Sequence, residues 1–575
     1  MLGTPSDSTG LAIQYKNAKL VKRLKKNGLG ESRMDEFDYI VIGSGSAGGT
    51  IAARLSEDPT VTVCVIEAGG RDWNPFIHIP AGFMKTLVNP SVNWLYDSEG
   101  SEGTAGRRIH APRGKTMGGS SSINGNIYSR GQRLDFDGWA QRGNRGWGYA
   151  DVLPYFKRSE QRIGDGDETF RGRDGKLIIT DIDYRHPLAD DFIKGAINYG
   201  IPLNEDYNGA VQEGVSYTQR TIFNGRRVSS ARAFLRPALK RPNIELRINA
   251  HATKIVFEGK RAIGIQYSRG GQLTEIRARR EVILSGGSVN SPQLLQLSGV
   301  GPENLLKEIG VPVHHVLPGV GENLRDHFVV RMVARIKTME TINQRVKGLP
   351  LMSEAFKYFT GRPSVLGLSP TLVYIFWKSD PALDNGDLQI SFTPASYKEG
   401  VQSQLDDFPG VTVAPWVQRP ESIGYVRAKS ADPFDAPAIQ PNYFSHETDR
   451  RLSLAGMKIA RDLMQTPEFA QHVEREELPG PDVNTDDEML DYYRQNATTT
   501  FHLMGSCRMG PKSDRTSVVD DQLRVHGLEG LRVADASIMP TMPSANTNAA
   551  TIMIGEKCAD YICGRQLPSV DLMGK

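Results

Sequence analysis

The chain has 575 residues, 39% of them hydrophobic and 23% charged, and its 69 basic side chains nearly balance 66 acidic ones. That length exceeds what one hydrophobic core normally supports, so two domains are expected. The charge balance excludes a nucleic-acid binder built on a concentrated basic face. No apolar run is long enough for a spanning helix, and four cysteines without a CxxC pair exclude a disulfide framework or a zinc site.

Residues 1–34 read as a polar, basic extension, with Lys19, Lys22, Arg23, Lys25 and Lys26 interleaved with Leu20, Val21 and Leu24. Two readings stay open. One is a short amphipathic helix on an anionic membrane; the other is a frayed extension, favoured because Met34 directly precedes a domain start.

Asp38-Tyr39-Ile40-Val41-Ile42 reads as a short buried strand. It enters Gly43-Ser44-Gly45-Ser46-Ala47-Gly48, the GxGxxG spacing, and then a helical pattern with Ala47, Ile51 and Leu55 on one face. A second apolar run, Val61-Thr62-Val63-Cys64-Val65-Ile66, ends at Glu67 and Ala68. Each part has a task. The glycines let the backbone turn against a pyrophosphate, the helix start faces that anion, and the acid accepts ribose hydroxyls. Strand, loop, helix, strand and acid in this order predict a Rossmann-like dinucleotide site, without separating NAD from FAD.

Residues 111–125, Ala-Pro-Arg-Gly-Lys-Thr-Met-Gly-Gly-Ser-Ser-Ser-Ile-Asn-Gly, are too small and polar for core. Their amides and hydroxyls suit an extended cofactor lying across them. Residues 135–147 carry Trp139 and Trp147 and are too aromatic for a disordered linker. Further on, residues 372–377, 388–392, 410–415 and 424–427 read as strands. Leu388, Ile390 and Phe392 alternate with polar residues, which predicts a sheet with one face packed and the other lining a cavity. Phe501, Trp377, Phe392 and Trp416 are candidates for that cavity wall or for core.

Near the C-terminus, His502 sits in a glycine-bounded turn, and Asn546 stands at what reads as the start of an apolar helix. A neutral imidazole can take a hydroxyl proton, and an uncharged amide can hold the oxygen. Asn546 and Asn548 are equally candidates for helix caps; Asn546 is assigned to chemistry and Asn548 to support. Cys507 has no acyl-transfer apparatus around it and is assigned to packing. His110, His251, His314, His315 and His327 show no comparable catalytic context.

These motifs, together with Gly286-Gly287-Ser288-Val289-Asn290-Ser291-Pro292, residues 319–327 (Gly-Val-Gly-Glu-Asn-Leu-Arg-Asp-His) and residues 532–540 (Arg-Val-Ala-Asp-Ala-Ser-Ile-Met-Pro), resemble the glucose–methanol–choline (GMC) oxidoreductases. Within that family the resemblance is to the bacterial choline- and alcohol-dehydrogenase-like members. It implies an α/β protein, α+β overall, joining a Rossmann-like FAD-binding domain (35–157, 227–330 and 516–567) to a substrate domain on a mostly antiparallel sheet with helices (158–226 and 331–515). Residues 568–575 form a tail. The cofactor contacts implied are Gly43, Gly45, Ser46, Ala47, Gly48, Glu67, Ala68, Arg113, Gly118, Gly119, Ser122, Asn124, Gly125, Ala252, Asp535, Ala536, Asn546 and Thr547. Relatives with a histidyl-linked flavin carry histidine where this chain has Ile123, so the FAD is expected to be non-covalent.

The implied reaction is oxidation of a primary alcohol to an aldehyde, with His502 as base, Asn546 as its partner and flavin N5 as hydride acceptor. A helix start near Asn548 would face the flavin and steady the charge it gains. Choline-type oxidation and a non-redox FAD-containing lyase stay as alternatives, and a neutral alcohol is favoured over choline. Dioxygen, a quinone or another carrier are all open as electron acceptor. No metal and no nucleic acid are expected, and a cytoplasmic or membrane-peripheral setting is what the resemblance implies.

Overall fold

The computed structural model describes residues 35–398 and 404–572, so the basic extension expected over 1–34 lies outside the described residues, as does the end of the expected tail. Two sheets organise the chain. In the seven-stranded first sheet, Glu36–Ile42 lies between Val63–Ile66 and Gln272–Leu284, all parallel, with Ile244–Arg247 beyond Val63–Ile66. Gln272–Leu284 continues antiparallel to Arg261–Arg269, and that strand to His251–Glu258. Its far end takes Leu531–Val533 in parallel.

The unbroken apolar character of Val63–Ile66 follows from this position. A parallel strand covered on both faces buries every side chain, and all four residues here are buried. Helix Ser46–Leu55 covers it and packs against Thr547–Ile562, the helix expected to start near Asn548. That second helix is buried along nearly all its length. Its one central acid, Glu556, is held by Arg54 at 2.8 Å and Arg158 at 2.7 Å. Trp139 and Trp147 are fully buried in the same core.

The second sheet has eight strands, in the order Val473–Leu478, Met332–Ile336, Gly410–Val417, Leu388–Thr393, Val373–Trp377, Gly214–Tyr217. Phe328–Val329 joins it by pairing with both Gly410–Val417 and Thr498–Thr499. Every pairing is antiparallel. Alternation sorts its faces as expected. Ile390 and Phe392 point into a core shared with helices Pro187–Tyr199 and Glu447–Gln465, where Phe192 stacks on Phe392 at 4.3 Å. Ser391 and Thr393, one step out of phase, face a cavity with Tyr374, Thr412, Ala414 and Trp416. Of the four aromatic residues considered for the cavity wall, Trp416 and Phe501 line it. Phe392 is core and Trp377 packs against that core, because each shares the parity of its strand's buried side. Among the described residues no helix is long and apolar enough to cross a membrane, and no cluster of three or more His, Cys, Asp or Glu could hold a metal ion.

Candidate active site

A cavity of about 400 Å³ runs between the two sheets. At one end it is lined by Gly43, Gly45, Ser46 and Ala47 from the first strand–helix turn, Glu67 and Ala68 from the second strand end, and Ala252. Gly43 has φ +94°, and a Cβ there would come within 2.3 Å of the Ser285 carbonyl oxygen, so only glycine makes this turn. Glu67 accepts from the Ser44 amide (3.0 Å), the Ser44 hydroxyl (2.6 Å) and the Gly69 amide (2.8 Å). Burial raises its pKa, and these donors oppose that rise. Asp535 closes the same end from the other side. It accepts from the Gly287 amide at 2.8 Å and the Ser291 hydroxyl at 2.6 Å, with Ala536 beside it on the cavity wall.

Three of the expected cofactor contacts stand behind the wall. Gly48 packs so closely on the turn that a Cβ would meet the Gly43 carbonyl oxygen at 2.0 Å. Gly118 donates to the Ser44 carbonyl at 3.1 Å, and Ser122 donates to the Met117 carbonyl at 2.8 Å. All three are engaged with the neighbouring loops. Arg113, Gly119, Asn124, Gly125 and Thr547 do reach the cavity. Arg113 donates to the Phe501 carbonyl at 2.5 Å, which ties this loop to the turn carrying His502. Ile123 is buried and lines the cavity beside Asn124. Asn126, also on the wall, is buried with neither end of its amide bonded to the described residues.

At the other end His502 and Asn546 meet. The His502 Nε2 lies 3.0 Å from the Asn546 Nδ2, and its Nδ1 lies 2.9 Å from the Nδ1 of His327 and 2.7 Å from the Thr500 hydroxyl. His327 Nε2 in turn lies 2.7 Å from the Gln418 carbonyl oxygen. This chain of contacts determines where the protons sit. A carbonyl only accepts, so His327 Nε2 carries hydrogen. Burial pushes His327 down to about 4, against the pull of that carbonyl, so it is neutral and its Nδ1 is a bare acceptor. His502 must then donate through Nδ1, which leaves Nε2 with a lone pair toward the cavity, where Asn546 donates to it. Burial, then His327 and then Arg113, hold His502 well below the usual histidine range, so it too is neutral near pH 7.

Asp326 secures both histidines. Its Oδ1 accepts the backbone amides of His327 (3.0 Å) and His502 (2.7 Å), and its Oδ2 accepts the Tyr443 hydroxyl at 2.6 Å. Asn546 precedes helix Thr547–Ile562, yet its side chain caps nothing. The amide instead reaches His502 and the Tyr374 hydroxyl, 3.4 Å away. Asn548 accepts from the Ser46 hydroxyl at 2.7 Å and so joins this helix start to the first glycine turn. The helix start, with Asn546, Thr547, Asn548 and Thr551, opens on the cavity, where its free amides carry about half a positive charge. His327 thus touches the candidate base directly, a place sequence reasoning did not give it. The available signal was its place in the Asn-Leu-Arg-Asp-His block at residues 323–327.

A family profile described as GMC oxidoreductase matches residues 37–329 with its N-terminal part, and a second, for the C-terminal part, matches residues 420–555. An alcohol dehydrogenase [acceptor] of Pseudomonas putida is 40% identical over 92% of this chain and 95% of its own. The mitochondrial choline dehydrogenase of Homo sapiens is 40% identical over 93% of this chain and 91% of its own. Among solved structures, the Aspergillus oryzae formate oxidase, studied for modification of its FAD, superposes with a TM-score of 0.86 at 28% identity. That match covers 92% of this chain and 98% of the other.

Proposed function

The chain belongs to the GMC oxidoreductase family and is an FAD-dependent oxidoreductase acting on CH–OH donors; we propose that it oxidises a primary alcohol to an aldehyde, with His502 as the base and Asn546 as the partner that holds the substrate oxygen. One observation carries this: a bare imidazole nitrogen and an amide donor, 3.0 Å apart, both facing one cavity. A hydroxyl entering between them donates to His502 Nε2 and accepts from Asn546 Nδ2, exchanging their mutual bond for two to the substrate. His502 then takes the hydroxyl proton through Nε2 while its Nδ1 stays anchored on His327 and Thr500, a contribution of roughly a hundred- to ten-thousand-fold. Asn546 and the helix start behind it steady negative charge on the oxygen and nearby.

The residues suit FAD. Gly43 allows close backbone approach, Glu67 and Asp535 sit at the far end, and Asn126, whose buried amide is bonded to none of the described residues, belongs to the cavity wall. Gly43, Gly45, Ser46, Glu67, Arg113, Asn124, Ala252, Asp535, Ala536 and Thr547 would hold it. Ile123 offers no nitrogen for a covalent link, so the cofactor is held without a bond. When bound, FAD supplies the hydride acceptor beside the carbinol carbon.

An anaerobic panel of alcohols followed at the flavin absorbance tests this. Bleaching by simple primary alcohols is expected; no bleaching by any alcohol would turn the assignment to a non-redox lyase. Admitting air to the reduced protein then separates dioxygen from a quinone or other carrier as acceptor. A choline-type substrate is the alternative: the two carboxylates on the cavity wall, Glu67 and Asp535, are both bonded at the cofactor end, which leaves the rings of Tyr374, Tyr397 and Trp416 to meet a quaternary ammonium.

A further inference from the structure

The substrate end of the cavity carries a cation that neither the cofactor loops nor the His502–Asn546 pair uses. Arg331 lies between strands Phe328–Val329 and Met332–Ile336 and lines the cavity together with Val329. Val329 pairs with Trp416, whose ring flanks that of His327 at 6.5 Å, and Met332 pairs with Val413. Arg331 therefore stands two residues beyond Val329 and four beyond His327, at most roughly 13 Å of extended chain from the histidine pair. Thr393 and Thr412, paired with each other across their strands, line the neighbouring stretch of wall.

The guanidinium sits over the Tyr397 ring, 4.8 Å from its centre. Among the described residues it has no hydrogen-bond acceptor and no carboxylate at ion-pairing distance; Asp406 acts on it only through space. Removal from water pushes its pKa down, while Tyr397, Tyr492 and Asp406 push it back up. Arginine stays protonated in such settings, and a half-buried guanidinium that the described residues leave without an acceptor is open to an anion entering the cavity. Arg113, which also lines the cavity, is by contrast committed to the carbonyls of Pro112 and Phe501.

Resting on the alcohol-oxidising assignment above, we propose that Arg331 determines specificity by binding the carboxylate of a substrate whose primary alcohol lies at its other end, so that the substrate class is ω-hydroxy acids. The planar guanidinium fork matches a carboxylate in two parallel hydrogen bonds. The carboxylate is unchanged in the reaction; only the distant CH₂OH is oxidised. A quaternary ammonium in the same place meets like charge, so the same side chain selects against choline.

The test is anaerobic flavin reduction by matched six- to ten-carbon compounds: ω-hydroxy acids, the corresponding 1-alkanols, and ω-amino alcohols. The native protein should reduce with at least one hydroxy acid tenfold or more efficiently than with its alkanol, and least efficiently with the amino alcohol. That preference should weaken with added salt. Arg331→Met should bring acid and alkanol within about twofold of each other while the alkanol rate holds, and Arg331→Lys should keep part of the preference. Alkanols outperforming every hydroxy acid in the native protein, or an acid preference unaltered in Arg331→Met, would overturn the proposal. The ranking in the native protein needs no variant, so it decides even where a substitution disturbs folding. Failure of every alcohol, alkanols included, would instead strike the oxidation assignment on which the proposal rests.

Discussion

Replacing His327 with leucine removes the acceptor that sets the His502 tautomer. In the native chain His502 Nδ1 faces two partners, His327 Nδ1 at 2.9 Å and the Thr500 hydroxyl at 2.7 Å. Leucine leaves only the hydroxyl, which can donate as readily as accept and so no longer dictates which nitrogen of His502 is bare. A neutral hydrogen bond is worth about 0.5–1.5 kcal/mol net, and each ~1.4 kcal/mol is tenfold, so His327→Leu should slow flavin reduction by about two- to tenfold. Adding Thr500→Val removes the second partner, and the double variant should lose roughly five- to a hundredfold. Stopped-flow reduction by a saturating alcohol, with flavin content measured in the same sample, reads the effect. Leucine also leaves the Gln418 carbonyl unpaired, so some loss of thermal stability accompanies it. A double variant that keeps its flavin and reduces at the native rate would refute the tautomer argument.

Asn546→Ala should cost on the order of 1–3 kcal/mol in the reduction step with FAD retained; a native rate would leave Asn546 as no more than the residue before a helix. Stability should fall as the pH drops. His327 is depressed from 6.5 to about 4, so the unfolded chain takes up a proton that the folded chain refuses across that window. The loss is about 3 kcal/mol for this one buried group, complete near pH 4 and absent above pH 6.5. Urea midpoints of native and His327→Leu protein at pH 7, 5.5 and 4.5 should therefore converge as the pH falls, and parallel curves would contradict the shift. Acid precipitation should release the yellow cofactor to the supernatant, whereas colour kept in the pellet would mean a covalent link despite Ile123.

Local signals in the sequence carried the first sheet and its turn well. Gly43 and Glu67 lie close in the chain, and their tasks follow from strand, turn and helix in succession. Parity carried the second sheet too: Leu388, Ile390 and Phe392 share a phase, and that phase already assigns Phe392 to core. What stayed hidden depends on distant pairing. His327 reaches His502 because two-residue strands, Phe328–Val329 and Thr498–Thr499, pair beside them, and strands that short leave no periodic trace. Gly48, Gly118 and Ser122 belong to the motifs, but a motif does not reveal which members line the cavity and which stand behind its wall. Arg331 sits in no recognisable pattern, and its significance lies in having no acceptor among the described residues.

The central claim is that the His502 imidazole removes the substrate's hydroxyl proton, and anaerobic reduction of the flavin by a primary alcohol in His502→Ala tests it most directly. The account predicts a rate lower by a hundred- to ten-thousand-fold with FAD still bound in native amount. Reduction within a few-fold of the native rate would contradict it.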